Sequence, residues 1–520
     1  MHQPEQAQFS EAVAVKEPAA RRSFVGETLA RPLRADTIWG LLLVYLGATQ
    51  LCLWRFLDVF PLWIYLVAAS AIIAIAAITM RQIRAQPQLD ADSPTVATFA
   101  ICLAFSLLLL ALGGEGRFFY ANIDWQVRYA VLRDMAINPW PFAYAAPGQL
   151  ALLRAPIGMF FLPALVWKAL GPAAADWALL VQNGFLLAAM LSLGSRFFAT
   201  PGQRALALAV ITFFSGLDIV GQYATHSFHE HLESWGATQF SSIITQAFWV
   251  PHHALPAWLG ALAFLQWHRG RWPLAAFLTP LPLLALWSPL ALMGLAPFAA
   301  FAGVTDLRRR SIDLTAIILP ASACLLAVPS LLYLLSAGSS VGVRPYPIDP
   351  DQYWLFEAVE VLPFVFPLFF TESARRYPGL LGLVTLWLLL VPYVKIGPSS
   401  DFAMRASIPA LAILAFLVAE QLLRKPRPAL PEAALIVALS LGAFTGLAEI
   451  ARAFRHPPAP ALHCPLYRAY DESFGPQSKA TYVAPVGQMP ALVRPHSPFP
   501  VNVSEPTPCW LGDWYRPSGT

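Results

Sequence analysis

Apolar stretches long enough to cross a bilayer recur from residue 37 to residue 450. A membrane-spanning helix needs about 20 mostly apolar residues. Candidate spans are 37–56, 58–80, 96–113, 176–195, 205–222, 252–267, 273–286, 287–304, 313–336, 358–370, 379–394, 406–423 and 433–449. Of the 520 residues, 57% are hydrophobic and only 12% are charged, against about 25% charged in soluble domains. Such a chain cannot cover a water-facing surface. A soluble enzyme, a disordered chain, a collagen-like fibre and a disulfide-dense secreted module are excluded. The expected fold is all-α, a polytopic transmembrane bundle of about 11–13 spans.

Positive charge orients the bundle. Residues 1–36 are polar and carry Lys16, Arg21, Arg22, Arg31 and Arg34, which reads as a cytoplasmic N-terminal tail. Alternate short loops are basic, as an inside location requires: Arg81 and Arg84; Arg196 and Arg204; Arg269 and Arg271; Arg308, Arg309 and Arg310; Arg375 and Arg376; Arg424, Lys425 and Arg427. The alternation holds if 156–170 stays at the outer interface. The Pro-rich segment 451–520 is then extracytoplasmic and is expected to pack over the outer face. The net charge of +4 is too small to suggest a nucleic-acid partner; the expected partner is the bilayer.

The remaining loops, 114–155, 222–250, 338–357 and 395–405, are longer, mixed in charge and rich in aromatic residues. Long loops of this kind usually carry function. In the first, Asp124 sits within ANIDW (121–125) and precedes apolar residues at helical spacing, Val127, Ala130, Val131 and Met135. That spacing predicts an amphipathic helix lying along the interface. Asp124 is a candidate general base, with helix capping as its alternative. Glu115 is the second candidate catalytic carboxylate, with a solvated residue at the end of the third span as its alternative. In the next loop His226, His229 and Glu230 would share a helical face and are candidate ligands for a divalent ion, although their spacing matches no strong zinc signature. His252 and His253 open an apolar span and are candidate acid/base or cavity-lining groups. Arg344, Lys395 and Arg405 supply cations on the same side. Arg405 enters an apolar span, where a charge normally pairs or faces a cavity; Asp401 is its helical neighbour and a phosphate its other partner. Cys464 and Cys509 lie in the polar C-terminal segment and can pair in an oxidising compartment.

No P-loop, GxSxG, HExxH or CxxC motif is present, and acidic residues inside the spans are scarce. No acidic relay of the kind used by ion-coupled transporters is evident.

The layout resembles the C-superfamily of integral-membrane glycosyltransferases (GT-C). ANIDW (121–125) in a long outer loop carries the resemblance, with WVPHHALPAW (249–258) and SSDFAMRASIP (399–409). It implies a transferase that takes a sugar from a polyprenyl-phosphate donor and delivers it to a glycan, lipid or protein acceptor on the extracytoplasmic face. It also implies Asp124 as the base and Arg405, with Arg344, at the donor phosphate. The expected setting is a bacterial inner membrane and cell-envelope polysaccharide synthesis. A transporter or flippase for a lipid-linked or amphipathic solute is the alternative. The need for a divalent metal is left open.

Overall fold

The computed structural model describes residues 24–336, 341–397, 400–424, 429–503 and 509–510. Most of the expected cytoplasmic tail, with Lys16, Arg21 and Arg22, lies outside the described residues, as do Lys425 and Arg427. Among the described residues, six helices are long and apolar enough to cross a membrane: Ala35–Leu57, Leu62–Arg84, Pro172–Phe197, Pro289–Arg309, Thr315–Leu335 and Leu430–Arg455. Shorter apolar helices include Val96–Leu112 and Pro378–Leu390. The chain is therefore a membrane protein by the character of its helices.

Several expected spans are broken, and prolines account for part of this. Pro280 and Pro282 each lack an N–H, and 273–286 divides into Leu274–Leu278 and Leu281–Leu284. The 205–222 stretch becomes Pro201–Thr212 and Asp218–Thr225. The 358–370 stretch breaks at Val361, just before Pro363, between Pro350–Glu360 and Leu362–Phe369. Segment 156–170 contains a ten-residue helix, Phe161–Leu170. At about 1.5 Å per residue it is too short to span a hydrocarbon core about 30 Å thick.

The basic loops gather with one another. Arg84 pairs with the buried Asp36 at 2.8 Å, Arg271 with Asp92 at 2.7 Å, and Arg269 and Arg424 share Glu420. The long loops also gather, and here the structure departs from an all-α reading. A four-stranded sheet joins the long loop 114–155 to the C-terminal segment. Phe142–Ala146 and Gln149–Leu153 form a central antiparallel hairpin, with Ala143 opposite Leu152. Phe499–Asn502 pairs in parallel with the first of these strands and Val483–Pro485 antiparallel with the second. Both tail strands are edges and both contain proline (Pro500 and Pro485), which an edge tolerates and a central strand does not. The tail is also closed by a Cys464–Cys509 disulfide.

The loop helix is Ile123–Ile137. It does not lie open along an interface as its spacing predicted. Trp125, Gln126, Val127, Ala130, Leu132, Asp134 and Met135 are all fully buried. The tail helix Leu466–Phe474 and the helix Phe161–Leu170 cover it.

Candidate functional site

Asn122, not Asp124, caps the loop helix. Its Oδ1 accepts the Asp124 N–H at 3.1 Å, and its Nδ2 donates to the Phe248 carbonyl at 3.0 Å. Trp125 Nε1 donates to the same carbonyl at 2.8 Å. These two bonds fasten ANIDW to the start of WVPHHALPAW, and the Asp124 side chain takes no part in the cap. Asp124 is partly exposed, and its Oδ2 accepts Arg128 Nη2–H at 2.8 Å, one helical turn on.

Arg128 is the residue that sequence reasoning missed. On a helix expected to lie along the interface it is only 4% exposed, and its Nε and Nη1 are buried without a hydrogen-bond partner. The available signal was its i, i+4 spacing from Asp124. Arg128 and Arg405 both lie within electrostatic reach of the His252 and His253 imidazoles. His253 Nδ1 sits 2.6 Å from Ser288 Oγ, whereas His252 Nδ1 is buried without a partner. Arg405 pairs with Asp401 at 3.3 Å and keeps a buried, unpartnered Nε. The helix that carries Arg405, Asp401–Ala406, packs closely on Pro289–Arg309. A Cβ added at Gly294 would come within 2.3 Å of the Ala406 carbonyl oxygen.

The tail contributes as well. Tyr482 lies within reach of Asp124, Arg128 and Asp401. Desolvation raises its pKa; Arg128 opposes the rise, and Asp124 and Asp401 add to it. Its hydroxyl therefore stays protonated and able to donate. Glu115 lies beneath this group, 1% exposed, with Oε1 accepting Asn183 Nδ2–H at 3.0 Å and Oε2 unpartnered. Burial pushes its carboxyl well above the usual carboxylate range, against the Asn183 bond and the Arg128 charge. Burial thus favours its neutral form, which does not suit a base.

Arg344 and Lys395 sit directly opposite each other on a small antiparallel ladder, Val343–Pro345 with Val394–Ile396. Lys395 Nζ lies 5.0 Å from the centre of the Tyr346 ring. The Lys395 strand packs against the helix carrying Arg405. Arg344 itself is exposed. The three cations thus occupy one region, but only Arg405 is placed among Asp124, Arg128 and the histidines.

The expected metal group does not form. The helix ends at Thr225 and His226 adopts a left-handed conformation, so His226, His229 and Glu230 share no helical face. Glu230 instead pairs with His456 at 2.7 Å and Arg455 at 3.4 Å. Among the described residues no three or more His, Cys, Asp or Glu side chains gather to hold a metal ion.

A relay of titratable groups, which the sequence did not suggest, forms instead. His231 stacks on Trp249, holds Glu449 at 2.9 Å through Nδ1 and faces Glu233 at 3.8 Å through Nε2. Asp218, Glu233, Glu357 and Glu360 are all buried.

Two cavities lie away from Asp124. One of about 600 Å³, lined in part by Arg375, Arg376 and Glu432, is at the end where the basic loops gather. The other, about 390 Å³, is lined by Trp235, Gln352, Tyr353 and Phe356 among others. No family model, no curated protein and no solved structure matches this chain.

Proposed function

We propose that the chain is an integral-membrane glycosyltransferase that moves a sugar from a polyprenyl-phosphate donor to an acceptor hydroxyl on the extracytoplasmic face. The observation that carries this reading is the set of buried, unpartnered nitrogens on Arg128, Arg405 and His252 around the partly exposed Asp124. Buried guanidinium donors held without acceptors are prepared for an anion. Asp124 takes the proton of the acceptor hydroxyl, whose oxygen attacks the anomeric carbon. The carbon–oxygen bond to phosphate breaks, its electron pair leaves on the phosphate oxygen, and Arg128 and Arg405 stabilise that charge. Direct displacement inverts the anomeric centre. Arg344 and Lys395, further out, meet the headgroup on its way in.

The reading includes a bundle of about 11–13 crossings built from long and broken helices. It places the N-terminus in the cytoplasm and the C-terminal segment outside, in a bacterial inner membrane. The disulfide supports the outer placement of the tail, because such bonds persist in oxidising compartments. Purified protein supplied with radiolabelled polyprenyl-phosphate sugars and total membrane lipid and glycan tests the reading. Label should reach an acceptor with wild type and not with Asp124→Asn. Transfer by the variant at the wild-type rate would remove Asp124 as base; no transfer from any donor by folded, donor-binding wild type would remove the reaction.

The second reading is a transporter of a lipid-linked or amphipathic solute. The buried relay through His231 favours it, since proton-coupled carriers use such chains.

A further inference from the structure

A second set of ionisable groups lies apart from Asp124. Asp218 is fully buried and accepts three donors: Trp235 Nε1–H on Oδ1 at 3.0 Å, and the hydroxyls of Ser215 at 3.0 Å and Thr445 at 2.8 Å on Oδ2. Glu360 is 2% exposed and reaches Asp218, yet neither of its oxygens meets a donor from the protein. Its Oε2 is packed onto Gly216, where a Cβ would come within 1.9 Å, so the carboxyl group is held in place. Two carboxylates in contact in a dry interior cannot both be charged. One proton satisfies both groups: it resides on Glu360 and is donated to Asp218. A metal is a poorer fit, because no ligand set of three forms among the described residues.

The pair is connected to the outer loop. Glu233, 1% exposed, acts on Glu360 from one side and Glu357 from its own helix. Glu233 Oε1 accepts the Ser242 N–H at 2.8 Å, and its Oε2 faces His231 Nε2 at 3.8 Å. The other ring nitrogen of His231 meets Glu449, which also holds Arg452 at 2.8 Å. An imidazole between two carboxylates can accept a proton on one nitrogen and release one from the other. The geometry points to a proton-binding site at Asp218 and Glu360, loaded from the outer face through His231 and Glu233. The transfer moves protons only; no bond to carbon changes and no electron acceptor is needed. The 390 Å³ cleft lies beside this site, since Trp235 lines it and also donates to Asp218.

Infrared difference spectroscopy of the full-length protein in detergent near neutral pH tests the site. The carbonyl stretch of a protonated carboxylic acid should appear in wild type and be lost in Glu360→Gln, an isosteric change that keeps a donor toward Asp218. Asp218→Asn, measured in parallel, should shift that band by removing its charged acceptor. Identical acid bands in wild type and folded Glu360→Gln, or an unmoved band in Asp218→Asn, would overturn the site. A thermal midpoint raised by sodium, magnesium or calcium in wild type but not in Glu360→Gln would overturn it in favour of a metal. His231→Phe should slow deuterium exchange of the band; unchanged exchange would overturn the route.

Discussion

The Asp134 carboxylate accepts the Leu466 backbone N–H at 2.8 Å across 332 residues of sequence. The same buried group accepts the Tyr144 hydroxyl at 2.8 Å and Arg133 Nη1–H at 3.0 Å. One side chain thus ties together the loop helix, the hairpin and the tail. Asp134→Leu leaves these donors without an acceptor, at a cost of about 1–3 kcal/mol for each group that stays buried. Faster proteolysis of the tail at constant detergent is the expected readout.

The same residue gives a pH dependence. Burial, resisted by these hydrogen bonds and by Arg133, pushes the Asp134 carboxyl from 3.8 up to about 6. A carboxyl raised on folding favours the folded state when protonated. Its contribution is complete below about pH 4 and is lost as pH rises through about 6. At about 1.4 kcal/mol per pKa unit, the swing is on the order of 2–3 kcal/mol. Thermal unfolding of wild type and Asp134→Asn at pH values on either side of this window should show a difference that shrinks or reverses with pH. A pH-independent difference would contradict the assignment.

Arg128→Lys should separate the roles at the proposed site. Lysine keeps the charge but loses the planar fork that reaches Asp124 and an anion together. We expect kcat to fall by about 10–100-fold, as for a lost charge-assisted contact, with the fold intact. A change in donor KM alone would mean that Arg128 only binds. Asp124→Asn should instead cost about 100-fold or more in kcat, the scale of a lost general base.

Gly294→Ala should act on Arg405 without touching it. The new methyl would meet the Ala406 backbone, which cannot yield as a side-chain tip can. Overpacking of this kind costs about 1–3 kcal/mol. The helix Asp401–Ala406 would move, and donor KM should rise. Gly303→Ala on the same long helix meets nothing and serves as the control.

Removing the Cys464–Cys509 bond frees a loop spanning 45 residues. Double substitution by serine should lower stability by about 2–4 kcal/mol. A reducing agent should have the same effect on wild type and none on the variant.

The long helices were legible because twenty apolar residues in a row have one simple solution. Asp124, His252, His253 and Arg405 were legible as charges or imidazoles at the ends of such runs, and the fold brings them together. Arg128 was not, because helical spacing shows which residues share a face but not what covers the opposite one. The tail helix does that covering, from more than three hundred residues away. The proline content of 451–520 hid its two strands, because proline reads as loop yet is tolerated at the edges of the hairpin at 142–153. The helical face imagined for His226, His229 and Glu230 failed at the left-handed His226, and their neighbours His231 and Glu233 met partners supplied by distant helices.

The strand order tail–hairpin–hairpin–tail has a consequence for biosynthesis. During synthesis the hairpin at 142–153 emerges long before either of its flanking strands exists. Until residues 483–502 have been translated and moved to the same side, both of its edges are unpaired and Tyr482 is absent from beside Asp124. Chains released early therefore carry their membrane helices but an unfinished sheet, so that this region matures only at the end of translation.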